Sequence, residues 1–328
     1  MGIAMNIFPV MYSMLSSDAL RDFVNENFDV GQVITCKILN RGLNDTYAVI
    51  TGDCRYILRV YRTPWRTRTE VYYELEALDF LVQHGVSVSA PIRNVDGNLA
   101  SEVVAPEGLR YVTLFTYAEG KRPQLDVSIS YEYGKTVAQI HNLTDDFVTS
   151  QTRPGLNFTY LLDEPLKIFT PTMKEYGGDI SYVQSFARAI RERFSKQDMD
   201  FGFCHGDFHD WNAHWNGNKL TIFDFDCCGP GYRAYDMAVF LWNLKMNYKG
   251  QEIENWMSFM QGYGALRTIT DTQLDSIPWF VAARRIWLAG IYLSNEDVWG
   301  MGIINDGFFR SFVDQLKEDE SAMGIQIR

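Results

Sequence analysis

A chain of 328 residues and 37.8 kDa is long enough for a full core and two subdomains. Apolar residues make up 46% and charged residues 22%, a globular composition that excludes wholesale disorder. Thirty Lys and Arg against 41 Asp and Glu give a formal charge of −11, which disfavours nucleic acid and anionic membranes as partners, because both need clustered positive charge.

Five cysteines (Cys36, Cys54, Cys204, Cys227, Cys228) form no C-x-x-C pair and no four-ligand zinc pattern, so a disulfide framework is not expected and a reducing compartment fits. The opening stretch MGIAMNIFPVMYSML lacks a basic n-region, and the later apolar runs Met237–Leu244 and Ile286–Leu293 are too short to span a bilayer. A cytoplasmic protein is expected.

In chain order, residues 44–61 are β-branched and aromatic with a Gly52-Asp53 turn between two runs, which predicts a hairpin. Val71, Leu75, Leu78 and Val82 then recur on one face of a helix over Glu70–His84. Leu99–Val104 and Arg110–Thr116, flanking Pro106-Glu107-Gly108, predict a second hairpin that ends near Tyr117. Helical patterns dominate from there: Ser130–His141, Ser181–Phe194, Ala234–Met246 and Gly307–Leu316. Two short β runs, Ala213–Trp215 and Leu220–Phe223, interrupt them around the turn Asn216-Gly217-Asn218. The expectation is an α+β molecule of two lobes, a small β-rich one over residues 1–117 and a larger helical one over 118–328. The default ligand site of such a pair is the cleft between them.

The segment from Cys204 to Asp226 concentrates the polar chemistry. Asp207 and Asn212 lie five apart in a loop, and Asp224 follows twelve later, just after the second β run. Two carboxylates and an amide oxygen are hard ligands suited to Mg²⁺ with phosphate and water in the remaining positions. Such a loop lets Asn212 and Asp224 hold metal while Asp207 faces a substrate hydroxyl. Each Asp taken singly is equally at home as a cap or turn residue. His209 and His214 read as loop-packing residues, and the many tryptophans of the second half as core.

His205-Gly206-Asp207 with Asn212, followed by a hairpin and Phe223-Asp224-Phe225, resembles the aminoglycoside phosphotransferase and choline kinase family, which shares the protein-kinase-like fold. The resemblance runs from about Leu39 to Asn243. It implies ATP- or GTP-dependent transfer of a γ-phosphate to a hydroxyl of a small molecule, an aminoglycoside, amino alcohol or sugar-like acceptor, with Mg²⁺ bound by Asn212 and Asp224. By the same resemblance Asp207 orients the acceptor hydroxyl and takes its proton, His205 braces the loop, and Asp226 has a lesser part. Leu39–Tyr47, with Asn44, becomes the loop over the nucleotide phosphates. Arg59, where protein kinases carry Lys, becomes the cation on the α- and β-phosphates. Its carboxylate partner should be Glu74, with Glu70 and Glu76 as competitors, and the nucleobase should meet the chain near Phe115 and Tyr117. Two alternatives stand beside a small-molecule kinase: a Ser/Thr protein kinase of the same family, and a pseudokinase that only binds nucleotide. No D-F-G or A-P-E follows the His205–Asn212 segment, and the Asp224–Asp236 interval is short, which favours a small acceptor. Intact Asp207, Asn212 and Asp224 favour catalysis over binding alone.

Overall fold

The structure, a computed structural model, describes residues 8–176 and 178–327; the first seven residues of the stretch read for a leader lie outside it. The chain divides into two compact units, one of residues up to Asp79 with Ser89–Tyr117, the other of Phe80–Val88 with everything from Ala118 onward. Among the described residues, no helix is long and apolar enough to cross a membrane.

The first unit opens with α1 (Ser17–Asn27), whose N-cap Ser16 accepts a hydrogen bond from the Ala19 N–H. An antiparallel sheet follows: β1 (Thr35–Arg41), β2 (Asn44–Ile50) and β3 (Arg55–Tyr61), then, after α2 (Arg68–Gln83), β4 (Pro91–Ile92), β5 (Ser101–Ala105) and β6 (Gly108–Thr116). The spatial order is β1-β2-β3-β6-β4, with β5 also paired to β6. Side chains alternate across the sheet, and one set forms a core: Tyr47 and Val49, Leu58 and Val60, Val112 and Leu114, packed with Leu20, Val24 and Phe28. That alternation puts Arg59 and Tyr61 on the other face.

Two expectations change here. β1 and β2 stay paired down to Arg41 and Asp45, so Leu39–Tyr47 is a tight hairpin turning at Gly42-Leu43, and not an extended loop. Asn44 lies on β2, where its Oδ1 accepts the Arg62 N–H at 3.2 Å and ties the strand end to the chain leaving β3. On α2 the buried row runs Val71, Leu75, Leu78 and then Leu81, leaving Val82 38% exposed: the inward face advances by three residues in its last step, not four. At the sheet end the fully buried Arg110 pairs with Asp45 (3.1 Å) and donates to the carbonyls of Tyr61 (2.9 Å) and Ser13 (2.8 Å), which pins the segment before α1.

The second unit is mostly helical. It contains α3 (Val127–Leu143), α4 (Glu164–Glu175), α5 (Ile180–Phe194), and the short strands β7 (Phe201–Cys204), β8 (Ala213–Trp215), β9 (Leu220–Ile222) and β10 (Gly229–Tyr232). Then come α6 (Ala234–Asn247), α7 (Glu252–Gly264), α8 (Asp271–Ser294), α9 (Glu296–Trp299) and α10 (Asp306–Met323). β7 pairs with β10 and β8 with β9, both antiparallel. α8, opened by a Thr270–Gln273 capping box, packs against α4, α5, α6 and α10 and buries residues on every side. α3 and α7 cross at backbone distance: a Cβ on Gly134 would lie 1.9 Å from the Phe259 carbonyl oxygen, and one on Gly262 2.0 Å from that of Tyr131.

Candidate active site

The chain turns sharply after β7. Gly206 has φ +80°, and a Cβ there would meet the Cys227 carbonyl oxygen at 2.3 Å, so both conformation and space require glycine. The backbone N–H groups of His205 and Gly206 each donate to Asp236 at 2.7 Å from the first turn of α6. The Asp236 carboxylate also lies 3.1 Å from His141 Nε2, while His141 Nδ1 is 3.1 Å from the Tyr263 hydroxyl. His205 is fully buried. Its Nδ1 accepts the Asp207 N–H at 3.2 Å, which leaves Nε2–H to donate to the Phe223 carbonyl at 3.2 Å. This histidine therefore fastens the turn to Phe223, the residue after β9.

Asp207 is engaged on both oxygens. Oδ2 accepts the Asn212 side-chain amide at 2.8 Å. Oδ1 lies 3.2 Å from His209 Nε2 and takes a short hydrogen bond from Arg284 of α8. Burial pushes the Asp207 carboxyl up, but His209 and the Arg284 guanidinium outweigh it and hold the group well below the usual carboxylate range. Arg284 is itself buried, with its guanidinium 5.1 Å from the Trp242 ring centre and 4.7 Å from that of Trp287. Burial alone would lower the Arg284 pKa, and Asp207 raises it.

Asn212 and Asp224 are brought together by the backbone. The Phe223 N–H donates to the Asn212 carbonyl at 3.0 Å, one residue before Asp224. Asp224 has φ +62°, and among the described residues no other non-glycine residue has a positive φ. A left-handed aspartate two residues past the end of a strand is a strained conformation of the kind that clusters at functional sites. The Asn212 amide nitrogen is committed to Asp207, so its side-chain oxygen is the atom suited to a cation. The Asp224 carboxylate is the other oxygen donor on this stretch, and oxygen donors of these two kinds are the chemistry that suits a hard divalent ion such as Mg²⁺. A second cluster of ligand-type side chains, His141, Cys204 and Asp236, is buried, but its carboxylate is spent on the two N–H groups and on His141, which makes it a hydrogen-bonded knot.

In the first unit Arg59 Nη1 donates to Glu74 Oε1 at 2.7 Å, and the Tyr61 hydroxyl donates to Glu74 Oε2 at 3.1 Å. Of the three glutamates considered for Arg59, Glu74 lies against it. Glu70 instead accepts the Thr67 N–H at 2.8 Å and caps α2. Phe115 is buried on β6 with Arg59 5.3 Å from its ring centre, and Arg55 lies 4.1 Å from the centre of the Tyr117 ring. Asp226, also buried, offers its backbone carbonyl to Arg153 through a short hydrogen bond.

Three residues at this site carried no signal in the motif reading: Asp236, Arg284, and His209 in its contact with Asp207. The first two sit on helices far along the chain, where no local pattern marks them.

The buried state of His141 sets a pH dependence. Burial lowers its pKa against the opposing pull of Asp236, so the folded state keeps it neutral while the unfolded chain protonates near pH 6.5. Below that pH the unfolded state binds more protons, so stability is fully present above about pH 6.5. It falls on acidification by at most about 1.4 kcal/mol per pH unit for each such histidine, until the folded state itself takes the proton. Urea unfolding of wild type and His141→Gln at pH 7.5 and 5.5 checks this. The variant should be weaker overall but less sensitive to acid, and equal sensitivity would refute the assignment.

A small antiparallel-sheet unit, a mostly helical remainder and an Asp-Asn-Asp set after a short strand define a kinase-like phosphotransferase. The chain belongs to the phosphotransferase enzyme family, which matches residues 35–269, and is an enzyme acting on hydroxyl acceptors. It is 36% identical over 322 residues to an uncharacterized protein of Deinococcus radiodurans, covering 97% of this chain and 94% of that one. It is 25% identical over 261 residues to an amicoumacin kinase of Bacillus subtilis, covering 76% of each. Among solved structures, an amicoumacin kinase in complex with AMP-PNP and Ca²⁺ shares the fold, with a TM-score of 0.78 at 19% identity over 93% of this chain and 94% of the other.

Proposed function

We propose that this phosphotransferase moves the γ-phosphoryl group of ATP or GTP to a hydroxyl of a small molecule, with Mg²⁺ held by Asn212 and Asp224. The observation that carries the reading is the state of Asp207. An ionised carboxylate offers about four lone-pair sites, and Arg284, His209 and Asn212 occupy three. The vacancy is on Oδ2, and an acceptor hydroxyl donating there has its oxygen oriented and its proton accepted. In the transfer, the bond from the γ-phosphorus to the bridging oxygen breaks and a bond to the acceptor oxygen forms. The nucleoside diphosphate leaves, and the acceptor proton passes to Asp207. A carboxylate held this acidic is a weak base, which suits a loose phosphoryl transfer state in which positioning and charge neutralisation do most of the catalysis. A bound Mg²⁺ would neutralise charge on the nucleotide phosphates. Arg59, set by Glu74 and Tyr61, supplies a fixed cation for phosphate oxygens.

The test is Mg²⁺-dependent consumption of ATP and GTP across hydroxylated acceptors, with a generic protein substrate alongside. Acceptor-stimulated turnover is expected with a small molecule; phosphorylation of the protein substrate alone would overturn the acceptor class, and absence of nucleotide binding would overturn the whole reading. Glu74→Ala gives a narrower check. It strips a charged hydrogen bond from Arg59, worth about 1.5–3 kcal/mol, and should raise KM for nucleotide about tenfold or more while acceptor KM holds.

A further inference from the structure

A cavity of about 440 Å³ lies wholly within the second unit, between α6, α8 and α10, and His209 stands in its wall. Because His209 Nε2 also lies 3.2 Å from Asp207 Oδ1, the cavity adjoins the carboxylate to which the phosphotransferase reading assigns the acceptor hydroxyl. Its size suits a molecule of one or two rings. Trp211, Trp242, Tyr292 and Phe308 supply aromatic surface.

The charge of the wall discriminates among acceptors. Among the described residues that line the cavity there is no Asp or Glu, and its basic members are His209 and Arg285. Asp319, behind Arg285, is 2.7 Å from both Arg285 Nε and Lys245 Nζ, so that group keeps one net positive charge. A polyamine would find no free counter-charge, because Asp207 beside the cavity is already engaged by Arg284 and His209, and its entry carries a heavy desolvation cost. Aromatic faces can hold a quaternary ammonium, but two of these rings already carry guanidinium groups: Arg122 sits 3.5 Å from the Trp211 ring centre and Arg284 5.1 Å from that of Trp242. Those faces are therefore already taken, by cations that Asp210 and Asp207 neutralise. What the wall does offer is a donor. Asn243 is fully buried, its Oδ1 accepts the Asn247 amide at 2.8 Å, and its Nδ2 has no hydrogen-bond partner.

We infer that the acceptor is a neutral or anionic, ring-bearing alcohol with a carbonyl or carboxylate oxygen, its ring against Trp242 and Tyr292 and that oxygen taking the Asn243 amide proton. The inference rests on the phosphotransferase reading for the fate of the hydroxyl, and it departs from the aminoglycoside and amino alcohol acceptors that the resemblance implies.

The experiment is saturation-transfer NMR on the full chain with AMP-PNP and Mg²⁺, using indole-3-lactate, uridine, choline and kanamycin as probes. Ring-proton signals from indole-3-lactate or uridine are expected, together with none from choline or kanamycin. The ring signals should fall at least about fivefold in Tyr292→Ala, at the partly exposed rim, and in Asn243→Leu, which keeps shape but removes the donor. That reduction corresponds to about 1 kcal/mol, the size of one neutral hydrogen bond or ring contact. Silence from both ring probes, displacement of them by choline or kanamycin, or ring signals unchanged in both variants would overturn the inference. A thermal shift with AMP-PNP in the same samples separates the two levels. Nucleotide binding without ring binding defeats the acceptor class alone, whereas no nucleotide binding defeats the phosphotransferase reading of the site.

Discussion

Asp207→Asn is expected to cut acceptor-stimulated turnover by about 10²–10⁴-fold, the range for loss of a positioned acid–base group, while nucleotide affinity is kept. The asparagine retains one oxygen toward Arg284 but presents a nitrogen where the acceptor proton should go. It also leaves the buried Arg284 without its counter-ion, and removing one partner of a buried pair costs about 3–5 kcal/mol. The AMP-PNP thermal shift therefore accompanies the kinetics, so that lost chemistry is not confused with lost fold. A second variant isolates the electrostatics. Arg284→Met removes the positive neighbour, and burial then acts with less opposition, so the Asp207 carboxyl rises. Wild type should show no acid limb from this residue across the working pH range, and Arg284→Met should acquire one, with turnover falling as pH drops. Full turnover in Asp207→Asn would refute the role of the carboxylate; pH profiles that coincide would refute the role of its partner.

The largest stability effect is expected at Asp236. Asp236→Ala orphans two buried N–H groups, each at about 1–3 kcal/mol, and strips His141 of its acceptor. A combined loss of roughly 3–6 kcal/mol, at about 2–4 °C per kcal/mol, lowers the melting temperature by on the order of 10 °C. Asp236→Asn is only partly milder, because its amide nitrogen sets a donor against one of the same N–H groups. Scanning calorimetry with and without AMP-PNP measures both. A melting temperature matching wild type would show that those two bonds contribute nothing to holding the Gly206 turn.

Much of this site is legible in the sequence because its chemistry is local. Gly206, Asp207 and Asn212 share one turn, and the ladder from Asn212 to Phe223 delivers Asp224 within a dozen residues. Alternation along 44–61 likewise places Arg59 opposite the core. The remainder depends on contacts that no window of sequence contains. Arg284 reaches Asp207 across 77 residues and Asp236 reaches Gly206 across 30. α8, which carries Arg284, is buried on every side, so it lacks the polar stripe that announces a helix, and Pro278 interrupts its pattern further. The hairpin at Gly42 was hidden for the opposite reason: its polar residues read as loop, whereas strand pairing and the Asn44–Arg62 bond decide the conformation. The tryptophans divide by position, with Trp279 and Trp287 buried in the core while Trp211 and Trp242 face the cavity.

The two N–H groups held by Asp236 carry a consequence for exchange with solvent. The amides of His205 and Gly206 belong to a turn, a class of structure that ordinarily gives up its hydrogens within the time of local fraying. Here they are released only if α6 lifts away from the turn, and His141 and Tyr263 couple that movement to α3 and α7. Deuterium should therefore enter these two positions at the rate of the helices rather than of the loop, so that the Gly206 turn is lost last, together with the bundle that carries it.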